Sequence, residues 1–375
     1  MRRLCVAFVM LVLGATPAGA SGTIRVALAE SARVAELRGM DIEVSELGGC
    51  PGCAARQEWR TDVVRAAVSG QGVEIDGRWA PGFRLTSERP IRMNGREYPA
   101  SLELVKNGDG MAIVNELPLE DYVVGVLRAE TSEQWPPETL RAQAIVARTY
   151  AAYHRLLNAA KSYHIVASTA HQAYAGRVPA ASPIWEAVRE TAGQVLFWEG
   201  QLFPAFYHSA SGGYTEDPRT VFAARNMPAL RAIRDEFSAR APHFYWSLDL
   251  RLADLAAILR RNGLDVGSIT AIEITERTPS LRASVLTIYS GRGSLRVRGN
   301  DFRRMVGYET IKSTLFAVAV DGAMARFAGR GYGHGVGMSQ WGAKGMAEQG
   351  YKAEKILEYY YPGTTLGPLG NRSAQ

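Results

Sequence analysis

Glu130 is the residue whose type and place most invite chemistry. It ends the run ELPLEDYVVGVLRAE over residues 116–130. Leu119, Tyr122, Val123, Val126 and Leu127 recur there at three- and four-residue steps, which makes one apolar stripe of a helix. A carboxylate at the last position of a helix faces the negative end of the dipole and gains nothing from it. Its pKa is expected to rise, and a carboxyl kept protonated near neutral pH can act as a general acid. Glu133, three residues on, is the rival. A surface carboxylate at a helix end is the plain structural alternative.

Two glycine-containing blocks could complete a site. His208-Ser209-Ala210-Ser211-Gly212-Gly213 follows a strand-like stretch. Its glycines let backbone approach a ligand, and its serines and histidine offer donors and acceptors. It does not read G-x-S-x-G, so it is not a serine-hydrolase elbow, and a histidine satisfied within a turn is the structural alternative. The run from Gly329 to Gly337 has glycine at every second position. If extended, it presents Arg330, Tyr332, His334 and Val336 on one face and leaves the other bare. A phosphate loop is excluded, because Met338-Ser339-Gln340-Trp341 stands where Gly-Lys-Ser/Thr would be needed.

The elements that must position these residues are legible in outline. Pro118 suits a first helical turn, with Glu120 and Asp121 at the positive dipole end. Pro136 and Pro137 open a second, alanine-rich helix from Glu138 to about Asn158. Gln143 and Arg148 lie on it five residues apart, about 140° around the axis, so they point different ways. Upstream, TIRVALAE and shorter alternating segments reach residue 110, with turn signals at Asn94-Gly95 and Asn107-Gly108.

Downstream, a short helix over 183–192 precedes a hairpin turning at Glu199-Gly200. An amphipathic helix follows over 247–262, then paired strands AIEITERT and SVLTIYSG. A short helix, NDFRRMVG, has Asn300 or Asp301 as its cap, and two helices over 338–349 and 353–360 close the chain. Strands and helices segregate more than they alternate, so the expected fold is α+β. The expected parts are a β-rich N-terminal region over 21–110 and a mixed helix/strand core with a groove over 111–375.

The blocks LPLEDYVVGVLRAE, LRAQAIVARTYA, STAHQAYAG (168–176), AFYHSASGGYTE (205–216) and GRGYGHGVGMSQWGAKGMA (329–347) resemble, in order, the signature of the SpoIID/LytB family. That family is named after stage II sporulation protein D, and the resemblance spans about residues 113–366. It implies a peptidoglycan lytic transglycosylase, or a module that enhances a cell-wall amidase. It places the acid/base on Glu130, which protonates the leaving oxygen and then takes the proton of the substrate's own C6 hydroxyl. The product is a 1,6-anhydro sugar, and no second carboxylate is obligatory.

The resemblance also implies glycan contacts at Gln143, Arg148, Gln172, Tyr174, His208, Ser209, Ser211, His334, Gln340 and Trp341. A bracing role for Arg148 and a core position for Trp341 stand as alternatives. The implied substrate is MurNAc–GlcNAc strands stripped of stem peptides, in wall remodelling or sporulation. A hydrolase pairing Glu130 with Glu133 or Asp217 is a further reading. Some family members bind zinc through cysteines near residues 164–172. Ala167 and Ala170 stand there, and His164 and His171 alone make a poor zinc site, so no metal or other cofactor is expected.

The chain has 375 residues, 47% hydrophobic and 21% charged, which is ordinary for a globular protein. MRRLCVAFVMLVLGATPAGA, residues 1–20, reads as a secretory signal peptide, so an exported, periplasmic or wall-associated protein is expected. Membrane attachment would come only through that segment if it is retained. The formal charge of +6 is modest once Arg2 and Arg3 leave with the signal, and no nucleic-acid-binding motif accompanies it. Of three cysteines, Cys50 and Cys53 form a close pair. In an exported chain this is most simply a local disulfide, with a redox pair or a zinc half-site as alternatives.

Overall fold

A computed structural model describes residues 22–48, 58–70, 72–222 and 227–370. The expected signal segment and the Cys50–Cys53 pair lie outside the described residues. The fold is α+β, with one large sheet, three smaller sheets, a two-stranded ladder and helices packed between them.

The large sheet takes nearly all of the N-terminal alternating segments. Its strands are β1 (Thr23–Ala32), β2 (Val34–Leu47), β3 (Glu58–Ser69), β4 (Gly72–Ile75), β5 (Arg78–Ala80), β6 (Gly82–Thr86), β7 (Ile91–Met93), β8 (Arg96–Tyr98), β9 (Ser101–Asn107), β10 (Gly110–Pro118) and β11 (Ile165–Val166). The order is β11-β1-β10-β9-β6-β2-β3-β4-β5, with β7 on β2 and β8 on β7. Every pairing is antiparallel except β1 with β11. Asn94 and Gly95 both take positive φ, 51° and 76°, as the two-residue turn between β7 and β8 requires.

The hairpin of β9 and β10 spans residue 110. The same apolar core joins Ile24, Leu85 and Leu104 of the sheet to Leu119, Val123 and Leu127 of the helix that follows. That helix, α1 (Leu119–Glu130), starts straight out of β10, with Pro118 as the residue before its first turn. Helix α2 (Pro137–Leu157) has Pro137 at its first position. Its small residues divide it between two cores. Leu140, Ala144, Ala147 and Ala151, at three- and four-residue steps, face the sheet and α1. Ala142, Ile145 and Val146 face a second core made with the helices Gln340–Glu348 and Ala353–Tyr360. A helix whose apolar residues run this far round is buried on most of its circumference.

A third core lies within residues 246–327. It holds the ladder of 269–277, 283–290 and 293–298, a second sheet of 245–251, 324–330 and 316–321, and helices 252–261 and 299–306. The expected helix over 247–262 thus begins only at Leu252, because 245–251 pairs with 324–330 along its length. The helix at 299–306 is preceded by Arg298, with no side-chain cap from Asn300 or Asp301. The Glu199-Gly200 hairpin forms as expected, with φ of 49° and 78°.

The alternating-glycine run is not one extended strand. The strand ends at Arg330, and Gly331, Gly333, Gly335 and Gly337 then take φ of 79°, 118°, 90° and 71°. Left-handed turns at every second residue coil the chain instead of flattening it.

Candidate active site

Glu130 is the last residue of α1. Thr131 stops the helix with extended dihedrals, its backbone N–H and its hydroxyl both donating to the Leu127 carbonyl, at 2.9 and 2.7 Å. Gln340 Nε2 donates to the Glu130 carbonyl at 3.3 Å, satisfying one of the orphan carbonyls of a helix C-terminus. The turn leaves the Glu130 side chain half-buried on the wall of a cavity of about 450 Å³.

The carboxyl is gripped from several directions. The Ala173 N–H donates to Oε1 at 2.8 Å, and the side chains of Gln340 and Tyr207 stand where they favour its charged form. Burial outweighs these groups and raises the pKa above the ordinary carboxylate value. Desolvation, rather than the helix end alone, is therefore the leading cause. No cation is among the groups that move it.

Four segments distant in sequence converge on the cavity. His171 comes from the loop after β11. Phe206, Tyr207, His208 and Ser209 come from the segment around 207–208, and Tyr332 and His334 from the glycine run. Asn300 to Glu309 contribute polar residues, including Arg303 and Arg304. The glycine run and the His-Ser loop are held together by a parallel pairing of Tyr207 with Met338 and His208 with Ser339. Glycine is required at Gly337, where a Cβ would stand 1.9 Å from the Phe206 carbonyl oxygen.

Both histidines of this wall are neutral, with their tautomers set by one residue. The Val336 carbonyl lies 3.1 Å from His208 Nδ1 and can only accept, so that nitrogen carries the hydrogen. The Val336 N–H donates to His334 Nδ1 at 3.0 Å, so there the hydrogen is on Nε2. Burial first, then the Arg303 and Arg282 charges, pushes His334 down to about 3, and burial first, then His334 and Arg282, holds His208 well below its usual value.

Of the residues expected at the site, Glu130, His208, Ser209, His334 and Gln340 line one cavity. The others do not line it. Arg148 is fully buried and forks onto Glu120, with further bonds to the Val188 and Gln194 carbonyls. It braces α2 against α1 and the segment after helix 184–190. Gln143 is buried in the interior of α2 with neither amide atom hydrogen-bonded. Ser211 donates to Asp235 at 2.6 Å and is fully buried. Tyr174 donates to Asn115 at 3.0 Å.

Gln172 stands one layer behind Glu130, bonded to Tyr122 and Tyr207. Trp341 packs edge-on against Trp135 at 5.4 Å, with Lys344 over its ring. The rival carboxylates are also elsewhere. Glu133 pairs with Arg128 and accepts from Ser182, and Asp217 is clamped by Arg219. Sequence reasoning missed Tyr207, Phe206, His171 and the Arg303–Arg304 pair. Tyr207 and Phe206 carried a signal, as neighbours of His208 within AFYHSASGG, and so did His171, within STAHQAYAG, although it read there only as a zinc ligand.

Among the described residues no group of three or more His, Cys, Asp and Glu is placed to hold a metal ion, and no helix is long and apolar enough to cross a membrane.

Comparison with known proteins points to one family. The family model described as stage II sporulation protein matches residues 107–198, which include Glu130 and Gln172 but not His208 or the glycine run. A domain of unknown function matches residues 221–337. An uncharacterised protein of Brachyspira hyodysenteriae is 32% identical over 309 residues, covering 81% of this chain and 82% of that one. Stage II sporulation protein D of Bacillus subtilis is 29% identical over 269 residues, 68% of this chain and 75% of that one. The amidase enhancer of Bacillus subtilis is 30% identical over 290 residues, 64% of this chain but 40% of that longer protein. With the motif blocks in order and two of these relatives matched over most of their length, the chain belongs to the stage II sporulation protein D (SpoIID) family.

Proposed function

We propose that this chain is an exported lytic transglycosylase that cleaves peptidoglycan glycan strands, with Glu130 as its single acid/base. The observation that carries the reading is a carboxyl whose pKa is raised by burial, on the wall of a cavity rich in sugar-compatible donors and acceptors. Protonated Glu130 gives its proton to the bridging oxygen as the C1–O bond of MurNAc breaks. The C6 hydroxyl of the same sugar then attacks C1, and its proton returns to Glu130. Atoms balance without water, and the new end is a 1,6-anhydro sugar.

A two-carboxylate hydrolase needs a second free acid beside the bond. Asp301 and Glu309, the other carboxylates lining the cavity, are engaged by Arg298 and Tyr332. Glycan strands free of stem peptides are the proposed substrate.

The test is digestion of peptide-free glycan strands by wild type and Glu130→Gln, with products read by mass spectrometry. Anhydro ends from wild type alone support the reading. Equal product from both removes Glu130, and reducing ends point to hydrolysis. The likeness to the amidase enhancer favours a second reading, a glycan-binding protein that stimulates a cell-wall amidase. Stimulation that survives Glu130→Gln, with no cleavage by wild type, would select it.

A further inference from the structure

The sheet of strands 245–251, 324–330 and 316–321 keeps one face outside the third core. Side chains alternate along each strand, and Trp246, Phe316 and Phe327 point into the core. Ser247, Ala328 and Ala317 point outward, and the register sets them side by side across all three strands. Small side chains in a row leave a trough. One neighbouring row sets Tyr245 beside Arg330, and the other holds Asp249, Arg326 and Ala319. The trough has a volume of about 630 Å³, and Leu281, Leu315 and Arg277 also line it. It shares no lining residue with the Glu130 cavity, although Arg330 stands just before Tyr332 of that cavity's wall in the glycine run.

Its rim is built at a cost. Leu281 is 52% exposed and takes φ of 67°, left-handed backbone that a bulky residue adopts only under constraint. Arg277 supplies the constraint, with Nη1 donating to the Leu281 carbonyl at 2.6 Å and Nη2 to the Phe316 carbonyl at 3.2 Å. An apolar side chain is thus held at the rim on the side of strand 316–321. Across from it, on strand 245–251, stands Tyr245, 74% exposed.

The charge is one-sided. Asp249 and Asp321 are occupied by Arg326, and no acid lines the trough. Its cations are Arg277 and Arg330, and among the described residues the Arg330 guanidinium has no ion pair or hydrogen bond. A carboxylate suits a free guanidinium, which takes it with two parallel N–H bonds. A floor of alanine and serine suits methyl-sized side chains. Together these call for a short peptide of alanine-sized residues with a free carboxylate.

Resting on the peptidoglycan reading above, we propose that the trough binds the carboxylate end of a wall stem peptide. Arg330 takes the carboxylate, and the methyl groups lie between Tyr245 and Leu281. A peptide held there tethers the protein to the wall while a peptide-free strand occupies the separate Glu130 cavity.

The experiment is ligand-observed NMR titration of the protein with N-acetyl-D-alanyl-D-alanine and with its C-terminal amide. The acid is expected to bind about tenfold more tightly, as a charge-assisted pair allows. Arg330→Gln should erase that preference and Arg330→Lys should keep part of it, while Tyr245→Ala should weaken acid and amide alike. Equal affinities, no measurable binding of either peptide, or an unchanged preference in folded Arg330→Gln would overturn the proposal. N-acetyl-L-alanyl-L-alanine bound as tightly as the D form, or more so, would point to a protein C-terminus and overturn it too. If Arg330→Gln does not fold, Tyr245→Ala decides alone, because that ring is exposed, and an unchanged affinity there overturns it. Binding is read without turnover, so it fails independently of the cleavage reading. Loss of anhydro products with peptide binding intact would sink only the latter.

Discussion

Gln172 Nε2 donates to the Tyr207 phenol oxygen at 3.2 Å, and that contact makes the phenol oxygen an acceptor. The amide cannot be turned round. Its nitrogen also faces the Ala147 carbonyl at 3.4 Å, which can only accept, and its oxygen receives the Tyr122 hydroxyl at 3.1 Å. Tyr207 has therefore accepted already, and its hydroxyl is among the groups that favour the charged form of Glu130. The two tyrosines and the glutamine form a buried chain behind the acid.

Tyr207→Phe removes a donor that favours the Glu130 carboxylate, so the Glu130 pKa should rise further. An acid works while protonated, so activity is lost as pH rises through its pKa. The alkaline limb of the pH–rate profile should move to higher pH. The maximal rate should fall about tenfold to a hundredfold, less than the roughly 10²–10⁴-fold of a direct general acid–base group, because Tyr207 acts through Glu130. A profile unmoved on its alkaline side would detach Tyr207 from Glu130.

The helical pair was legible because local signals suffice for it. The apolar period and three prolines place α1 and α2 to within a residue or two. The glycine run misled because alternation is also what a strand shows. Here it marks positions where left-handed backbone and close approach to Phe206 and His208 are needed. The cavity wall was legible only in part. The His-Ser loop meets the glycine run through a two-residue parallel pairing more than a hundred residues apart in sequence, and no local pattern reports such a contact. Arg148 shows the same limit. Its partner Glu120 looked like a residue favoured by a helix dipole, and the pairing exists only once α1 and α2 pack.

Arg148→Met should destabilise the fold and leave the cavity chemistry largely intact in molecules that remain folded. The guanidinium is fully buried, and its loss would take a donor from the Val188 and Gln194 carbonyls and leave the partly exposed Glu120 carboxylate without its counter-charge, though the Gly193 N–H still donates to it. Breaking such a buried pair costs about 3–5 kcal/mol. Arg148→Lys should recover little, since an ammonium cannot fork. Urea titration measures the cost. A variant of wild-type stability that cannot bind glycan would return Arg148 to the substrate.

Gly333→Ala should damage the site more than the fold. Its φ is 118°, and a Cβ would lie 2.7 Å from the His208 Cβ. Strain of this kind costs about 1–3 kcal/mol, and it falls on the histidine that lines the cavity. Near-native circular dichroism with cleavage reduced at least tenfold is expected. Full activity would show that the His208 wall gives way without consequence.

Acid should weaken the protein earlier than carboxylates alone would. Burial is the first cause in lowering His154 and His164 to about 4 and His334 to about 3, from an ordinary 6.5. Between those values the unfolded chain binds protons that the native one refuses. The histidine contribution is therefore complete above about pH 6.5 and is lost as pH falls toward the folded values. Unfolding free energy from urea titrations should decline from pH 6.5 downward. The His164→Gln change keeps an acceptor for the Arg25 N–H, which His164 Nδ1 now receives at 3.1 Å, and it removes one titrating group. Its curve should be shallower than wild type between pH 6.5 and 5, by the uptake of up to one proton. A flat wild-type curve over that interval would mean that these rings protonate as readily folded as unfolded.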